Sequence, residues 1–152
     1  MQIEVIKNKI IRIPIENWNI LGTTLYGKNR SEWKFICPNC GRIQTVSEFE
    51  KYFDGNKEEA FIKAMYHCIS RYSRENEGKC SWTLNGIFKI HKLELKVMHE
   101  ISPTFEFADA LITDDEIMMI QACKDGKIFE PGENEDESVK IWAAFAKEGL
   151  KF

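Results

Sequence analysis

The sequence predicts an α+β fold, with a small β-rich region first, then a central helix and two C-terminal helices. Three observations predict this fold. Several short β-prone runs bounded by polar segments occur in the first third of the chain. Apolar residues at helical spacing then cover residues 58–73. Two further stretches with helical periodicity and favourable N-terminal residues complete the chain.

The N-terminal third is predicted to contain four short strands. Residues 2–6 and 10–15 have strand character and flank a polar turn, so we expect a β-hairpin. Residues 16–32 show no sustained periodicity and are expected to form a loop with at most one short element. Residues 33–37 are apolar and β-prone, and the segment 42–46 can pair back against them.

The central part of the chain is predicted to be helical. Ser47 and Glu50 match a capping box, which predicts the start of a short helix. The strongest helical pattern runs from Glu58 to about Ser73, and Cys68 lies beside its apolar stripe.

The last part is predicted to combine strands with two helices. Residues 86–97 alternate between apolar and polar side chains and carry apolar residues on both faces, which predicts a long strand. Residues 105–107 form a shorter candidate strand. Thr113 and Glu116 match a second capping box, which opens a mostly buried helix. A final helix is expected to start within the acidic run 133–137.

Length and composition favour one domain. The chain has 152 residues, of which 43% are hydrophobic, and this is enough for a well-packed core. Residues 1–99 are predicted to form the α+β core, and residues 100–152 an acidic, mainly helical part packed on it. No long apolar run occurs, and the first residues lack the pattern of a secretion signal, so we expect a cytoplasmic protein without membrane contact.

A motif with the chemistry of a metal knuckle follows the strand at 33–37. Cys37-Pro38-Asn39-Cys40-Gly41 places two thiols three residues apart across a tight turn, which allows both to reach one ion. A redox-active pair is the alternative, but such a pair normally opens a helix after a strand, and the flanking residues here favour metal binding. The motif therefore predicts a zinc knuckle.

A closed structural zinc site needs two further ligands. We predict Cys68 and Cys80, with an overall spacing C-x2-C-x27-C-x11-C that is less regular than in a standard four-cysteine zinc ribbon. The remaining candidates fit less well. His67 points away from Cys68 around the predicted helix, Cys123 fits a small buried hydrophobe, and His91 and His99 are expected to be ordinary surface or core histidines.

The chain resembles a family of small uncharacterised phage and prophage proteins. The resemblance covers roughly residues 33–95 and rests on CPNCG, YHCISRY at 66–72, GKCSW at 78–82 and LNGIF at 84–88, in this order. Ser70 stands where the family usually has glycine, and Ser81 where it usually has an acidic residue. The resemblance supports Cys68 and Cys80 as partners of the knuckle, and it implies no particular activity.

Signatures of catalysis are missing from the sequence. It contains no phosphate-binding glycine loop, no GxSxG turn and no HExxH helix. Asp114, Asp115 and Glu116 resemble a magnesium site, but they are better explained as capping residues in the first turn of a helix. Four thiolates would also leave a bound zinc ion without an open position. We therefore expect no enzyme.

The uneven charge is typical either of two solvated faces of one domain or of a binding protein with one of two partner classes. The net charge of −3 divides into +5 for residues 1–99, with 16 basic and 11 acidic side chains, and −8 for residues 100–152, with 5 and 13. The acidic part could occupy a basic groove of a host nucleic-acid enzyme or defence nuclease and inhibit it. Its candidate contacts are Asp114, Asp115, Glu116, Glu133, Glu135, Asp136 and Glu137.

The alternative partner is nucleic acid. Basic and aromatic side chains near the predicted metal site could neutralise phosphates and stack on bases. The residues concerned are Arg71, Arg74, Lys79 and Trp82.

Overall fold

A computed structural model of the chain describes residues 3–7, 9–72, 80, 90–124 and 137–147, with the backbone alone at 123–124 and 145–147. Two sheets and five α-helices in this part confirm the α+β class. The strands are β1 (Glu4–Ile6), β2 (Ile10–Pro14), β3 (Lys34–Ile36), β4 (Ile43–Thr45), β5 (Leu93–Val97), β6 (Glu100–Thr104) and β7 (Glu106–Phe107). The helices are α1 (Ile15–Tyr26), α2 (Val46–Glu50), α3 (Lys57–Tyr66), α4 (Asp114–Lys124) and α5 (Glu137–Lys147).

The first sheet has four strands in the order β1-β2-β5-β6. Antiparallel pairing of β1 with β2 confirms the predicted N-terminal hairpin. β2 pairs with β5 in parallel, with Ile11 opposite Leu93 and Ile13 opposite Leu95. All four of these side chains are buried. Because alternate residues of a strand share a face, these four residues form the face of the sheet that covers the core.

The second sheet has three strands in the order β4-β3-β7. β3 and β4 pair antiparallel, as predicted, and flank the CPNCG turn. β7 pairs with the other side of β3, with Phe107 opposite Phe35. β6 and β7 both come from the predicted C-terminal part of the chain. That part therefore completes both sheets and also contributes helices α4 and α5.

The prediction of a loop at 16–32 is wrong, because most of this segment forms α1. Trp18 and Leu21 are fully buried at helical spacing, together with Gly22. Weak helix formers such as Asn, Thr and Gly hide this pattern in the sequence. Burial of the apolar face supplies the stability that the local sequence lacks. The helix ends at Gly27, which adopts φ +85° and donates its N–H to the carbonyl of Thr23.

Aromatic side chains from the second sheet, from two helices and from the residue before β3 form the centre of the core. Trp18, Trp33, Phe35, Phe61 and Phe107 pack with ring centroids 5.3–6.3 Å apart, in stacked and edge-to-face geometries. Such pairs contribute beyond the area that they bury. α1 approaches this cluster so closely that a Cβ at position 22 would lie 2.3 Å from the Trp33 ring, which explains the glycine there.

The observed boundaries of α2 and α3 differ from those predicted from the sequence. α2 is capped by Thr45 with Glu48, two residues before the predicted box at Ser47 and Glu50. α3 ends at Tyr66, so Cys68 does not lie on it as predicted. Instead, Cys68 precedes a short 3-10 helix at Ile69–Arg71.

The long strand predicted for 86–97 is only partly present. β5 covers its last five residues, and residues 90–92 lie outside any strand. Residues 81–89 are not among those that the structure describes. β6 was not predicted, because Pro103 favours a break. The proline is tolerated because β6 is the last strand of its sheet as described.

The two C-terminal helices pack against each other and against the core. The capping interaction at the start of α4 is present: the Thr113 N–H donates to Glu116 Oε2 over 2.8 Å. On α5, Trp142 is fully buried and its indole N–H donates to the carbonyl of Ala110 over 3.1 Å. None of the described helices combines the length and apolarity needed to cross a bilayer.

Candidate metal centre

The CPNCG motif forms a tight turn between β3 and β4. The Cys37 N–H donates to the carbonyl of Arg42 over 3.0 Å, and the Gly41 N–H donates to the carbonyl of Cys37 over 2.9 Å. Gly41 has φ +76°, a conformation that favours glycine. This turn leaves Cys37 buried and Cys40 exposed at the surface.

The second pair of thiols comes from more distant parts of the chain. α3 ends when His67 adopts an extended conformation with φ −124°, which redirects the chain towards the knuckle. Cys68 follows immediately and is fully buried, and Cys80 is also buried.

All four sulfur atoms lie within 4.8 Å of one another. Cys37 Sγ is 4.0 Å from Cys80 Sγ, and Cys40 Sγ is 3.7 Å from Cys68 Sγ. These distances exclude disulfide bonds, whose sulfurs lie about 2.05 Å apart. They match a tetrahedral ion instead, because metal–sulfur bonds of about 2.3 Å place two ligand sulfurs about 3.8 Å apart. The cluster can therefore hold a metal ion with four thiolate ligands.

The thiols influence one another electrostatically. A hydrogen bond from the Cys37 thiol lowers the pKa of Cys68 to about 5. The same contact, together with burial, raises the pKa of Cys37. Burial raises the pKa of Cys40. The metal-free cluster thus stabilises one thiolate by the protons of its neighbours, and a cation would replace those protons.

Polar groups around the cluster orient its ligands. Asn39 Nδ2 donates to Cys80 Sγ over 3.5 Å. Arg42 Nη1 donates to the hydroxyl of the buried Ser70, two residues after Cys68.

Gln44 is a residue of the site that the sequence reasoning missed. Its carboxamide is fully buried and hydrogen-bonds to the backbone on both sides of Cys68. A glutamine inside a predicted strand gave no signal of this role.

Two of the three histidines have partners away from the cluster. His67 Nδ1 lies 2.7 Å from the Tyr72 hydroxyl, and the two rings stack. Burial lowers the pKa of His67, and the positive charges of Lys63 and Arg71 lower it further. His91 Nε2 lies 2.8 Å from a carboxylate oxygen of Glu94. His99 is exposed, and no histidine belongs to the candidate metal group found among the described residues.

The candidate contacts of the predicted acidic surface differ in their exposure. Asp114, Asp115 and Glu137 are exposed. Glu116 is 1% exposed, and it accepts hydrogen bonds from Thr113 and from the Ser138 hydroxyl, so it joins α4 to α5 instead of facing a partner. The predicted contacts Glu133, Glu135 and Asp136 lie outside the described residues.

The predicted basic surface is described at one position only. Arg71 is exposed on the 3-10 helix beside Cys68. Arg74, Lys79 and Trp82 lie outside the described residues, and so does the side chain of Cys123.

Comparison with known proteins identifies a family to which the chain is similar. A model of the VVA0879-like family matches residues 14–108, which include all four clustered cysteines. No curated protein and no solved structure shows significant similarity to the chain.

The raised pKa values predict how metal affinity depends on pH. Cys37 and Cys40 hold their protons more tightly than free thiols do, so a metal ion must displace both of them. Affinity for Zn²⁺ should therefore rise with pH, by at least about 100-fold per pH unit around neutrality, because at least these two protons are released. Competition with a chromophoric chelator at several pH values measures this slope. An affinity that does not change with pH would contradict the assigned protonation.

Proposed function

The chain belongs to the VVA0879-like family, and we propose that it is a non-catalytic, zinc-stabilised binding protein of a phage or another mobile element. The four converging thiols carry this proposal. Four sulfur ligands in tetrahedral geometry suit zinc, which thiolates bind well in structural sites. Thiols that stay reduced suit a cytoplasmic protein.

The arrangement of the ligands supports a structural role for the ion. Four thiolates complete the tetrahedral coordination sphere of the ion, so no coordination position remains for a substrate or an activated water. Cys37, Cys68 and Cys80 are buried, so the ion would sit mostly inside the protein. The ion would join the β3–β4 turn to Cys68 and Cys80, which lie 28 and 40 residues after Cys40 in the chain. This cross-link would stabilise the fold.

Metal content tests the zinc proposal directly. Purified protein should contain about one zinc per chain, and Cys68→Ser should lose most of it and unfold at a lower temperature, because the remaining ligands bind less tightly. Cys123→Ser is the matched control and should keep its zinc. Elemental analysis and thermal unfolding measure both effects. A wild-type protein without bound metal, or a Cys68→Ser variant with full zinc content, would refute the proposal.

For the partner, we propose a basic protein of the host, such as a nucleic-acid enzyme or a defence nuclease, which this chain would inhibit. The support is the exposure of Asp114, Asp115 and Glu137 on the two C-terminal helices. These helices belong to the segment with a net charge of −8. Negative charge on one surface accelerates association with a positively charged groove and suppresses other partners.

Nucleic acid is a second candidate partner because cations gather around the Cys68 segment. Arg42 contacts Ser70, and both Lys63 and Arg71 lie close enough to His67 to lower its pKa. Three positive charges from three segments thus surround this part of the surface, as phosphate binding requires. The same charges also offset the excess negative charge of four thiolates on a divalent ion, so metal content must be measured alongside nucleic-acid binding.

Two double variants separate the partner classes. If the partner is a basic protein, Asp114→Asn with Asp115→Asn should retain much less of the wild-type partner in a pull-down from host lysate. Glu58→Gln with Glu59→Gln removes the same charge from the first turn of α3 and should retain it. Under this proposal, labelled single- and double-stranded oligonucleotides should not bind at about 50 mM salt.

The opposite result would favour nucleic acid. In that case the oligonucleotides bind, the affinity falls with added salt, and Lys63→Gln with Arg71→Gln weakens it without loss of metal. If the variant Asp114→Asn with Asp115→Asn still retained the protein partner, the proposed acidic contact would be ruled out.

A further inference from the structure

Gln44 connects the knuckle to the third cysteine through hydrogen bonds at full burial. Its Nε2 donates to the carbonyls of Ala64 and His67, both over 2.8 Å. Its Oε1 accepts the N–H of Ile69 over 2.9 Å. The side chain is 0% exposed, so water cannot replace any of these bonds.

These hydrogen bonds bracket Cys68. The carbonyl of His67 and the N–H of Ile69 belong to the peptide groups on either side of the cysteine. When both groups are held by one rigid carboxamide, the backbone at Cys68 cannot rotate without breaking at least one bond. The direction of its Cα–Cβ bond is thereby set relative to Gln44.

Gln44 is itself held relative to the knuckle. It lies in the middle of β4, four residues after Cys40, and is paired with Phe35 of β3. Cys37 directly follows β3 in the chain. One side chain therefore spans from the strand pair that carries the first two thiols to the segment that carries the third.

The three hydrogen bonds of Gln44 require a side-chain carboxamide, because two of them need a donor and one needs an acceptor. The end of α3 leaves carbonyls without helical partners, and the two near Gln44 both need a donor. Ile69 needs an acceptor. A carboxamide supplies two N–H donors and one carbonyl acceptor, so only glutamine or asparagine could meet all three needs, and asparagine is shorter.

We propose that Gln44 is a positioning residue of the metal centre, which holds the Cys68 sulfur in place for binding. This inference rests on the proposed zinc site. Groups that orient metal ligands through hydrogen bonds contribute to metal affinity although they do not touch the ion.

Two substitutions test this role. Gln44→Met keeps the length and bulk of the side chain but removes all three bonds. Gln44→Glu keeps the acceptor for Ile69 but turns a carboxylate oxygen towards two carbonyls. Both should bind Zn²⁺ about 10- to 100-fold more weakly than wild type in chelator competition. With Co²⁺, both should show a weakened or shifted tetrahedral d–d spectrum.

A matched control separates positioning from general stability. Asn56 caps the opposite end of α3, where its side chain accepts the N–H of Glu59 over 3.1 Å. Asn56→Ala should lower the unfolding temperature, because an N-cap is lost. It should leave Zn²⁺ affinity within about twofold of wild type and the Co²⁺ spectrum unchanged, because Cys68 stays in place.

The outcomes are distinguishable. Gln44 variants that are destabilised but bind Zn²⁺ and Co²⁺ like wild type would overturn the inference and leave the zinc site standing. A wild-type protein that binds neither ion would overturn both. If neither variant folds, hydrogen exchange on zinc-loaded wild type decides. Slow exchange of the Ile69 N–H and the Gln44 carboxamide is expected, and fast exchange would overturn the inference.

Discussion

Convergence of four thiols is the constraint on which the middle of this molecule depends. The β3–β4 turn provides two of them within four residues, but the others must return from 28 and 40 residues beyond Cys40. The return of Cys68 requires α3 to end at Tyr66 and the chain to extend at His67. The aromatic core supports the same arrangement, because Phe35 on β3 and Phe61 on α3 pack together there.

Local chemistry made part of this structure predictable. The CPNCG turn and its pairing strands depend on residues within about ten positions, and both appear as expected. The boundaries of α2 and α3 were less accurate, because Thr45 caps α2 ahead of Ser47 and because Gln44 holds the end of α3 from outside the helix. The Thr45–Glu48 box is itself a local pattern that competes with the one at Ser47 and Glu50, whereas the contact from Gln44 is tertiary and has no local signature.

The missed elements depend on partners that are distant in the chain. α1 has weak helix formers and is stabilised by burial of Trp18 against rings from β3, α3 and β7. The parallel pairing of β2 with β5 joins residues about eighty positions apart. No periodicity within either segment indicates such pairing.

The burial of charged residues was also not predictable from the local sequence. The acidic character of the C-terminal part suggested a binding surface that includes Glu116, yet Glu116 is buried, and so is Glu106. Burial raises the pKa of Glu106, although the N–H of Ile112 donates to its carboxylate. Two of the acidic side chains in that part therefore organise the C-terminal helices and strands and are not available to a partner. Composition counts charges but does not show which of them face water.

X-ray absorption at the zinc edge of the purified protein tests the central claim most directly. The structure predicts a single shell of four sulfur atoms at about 2.3 Å, without nitrogen or oxygen ligands. A shell that contains oxygen or nitrogen, or fewer than four sulfurs, would contradict the convergence of the four cysteines on one ion.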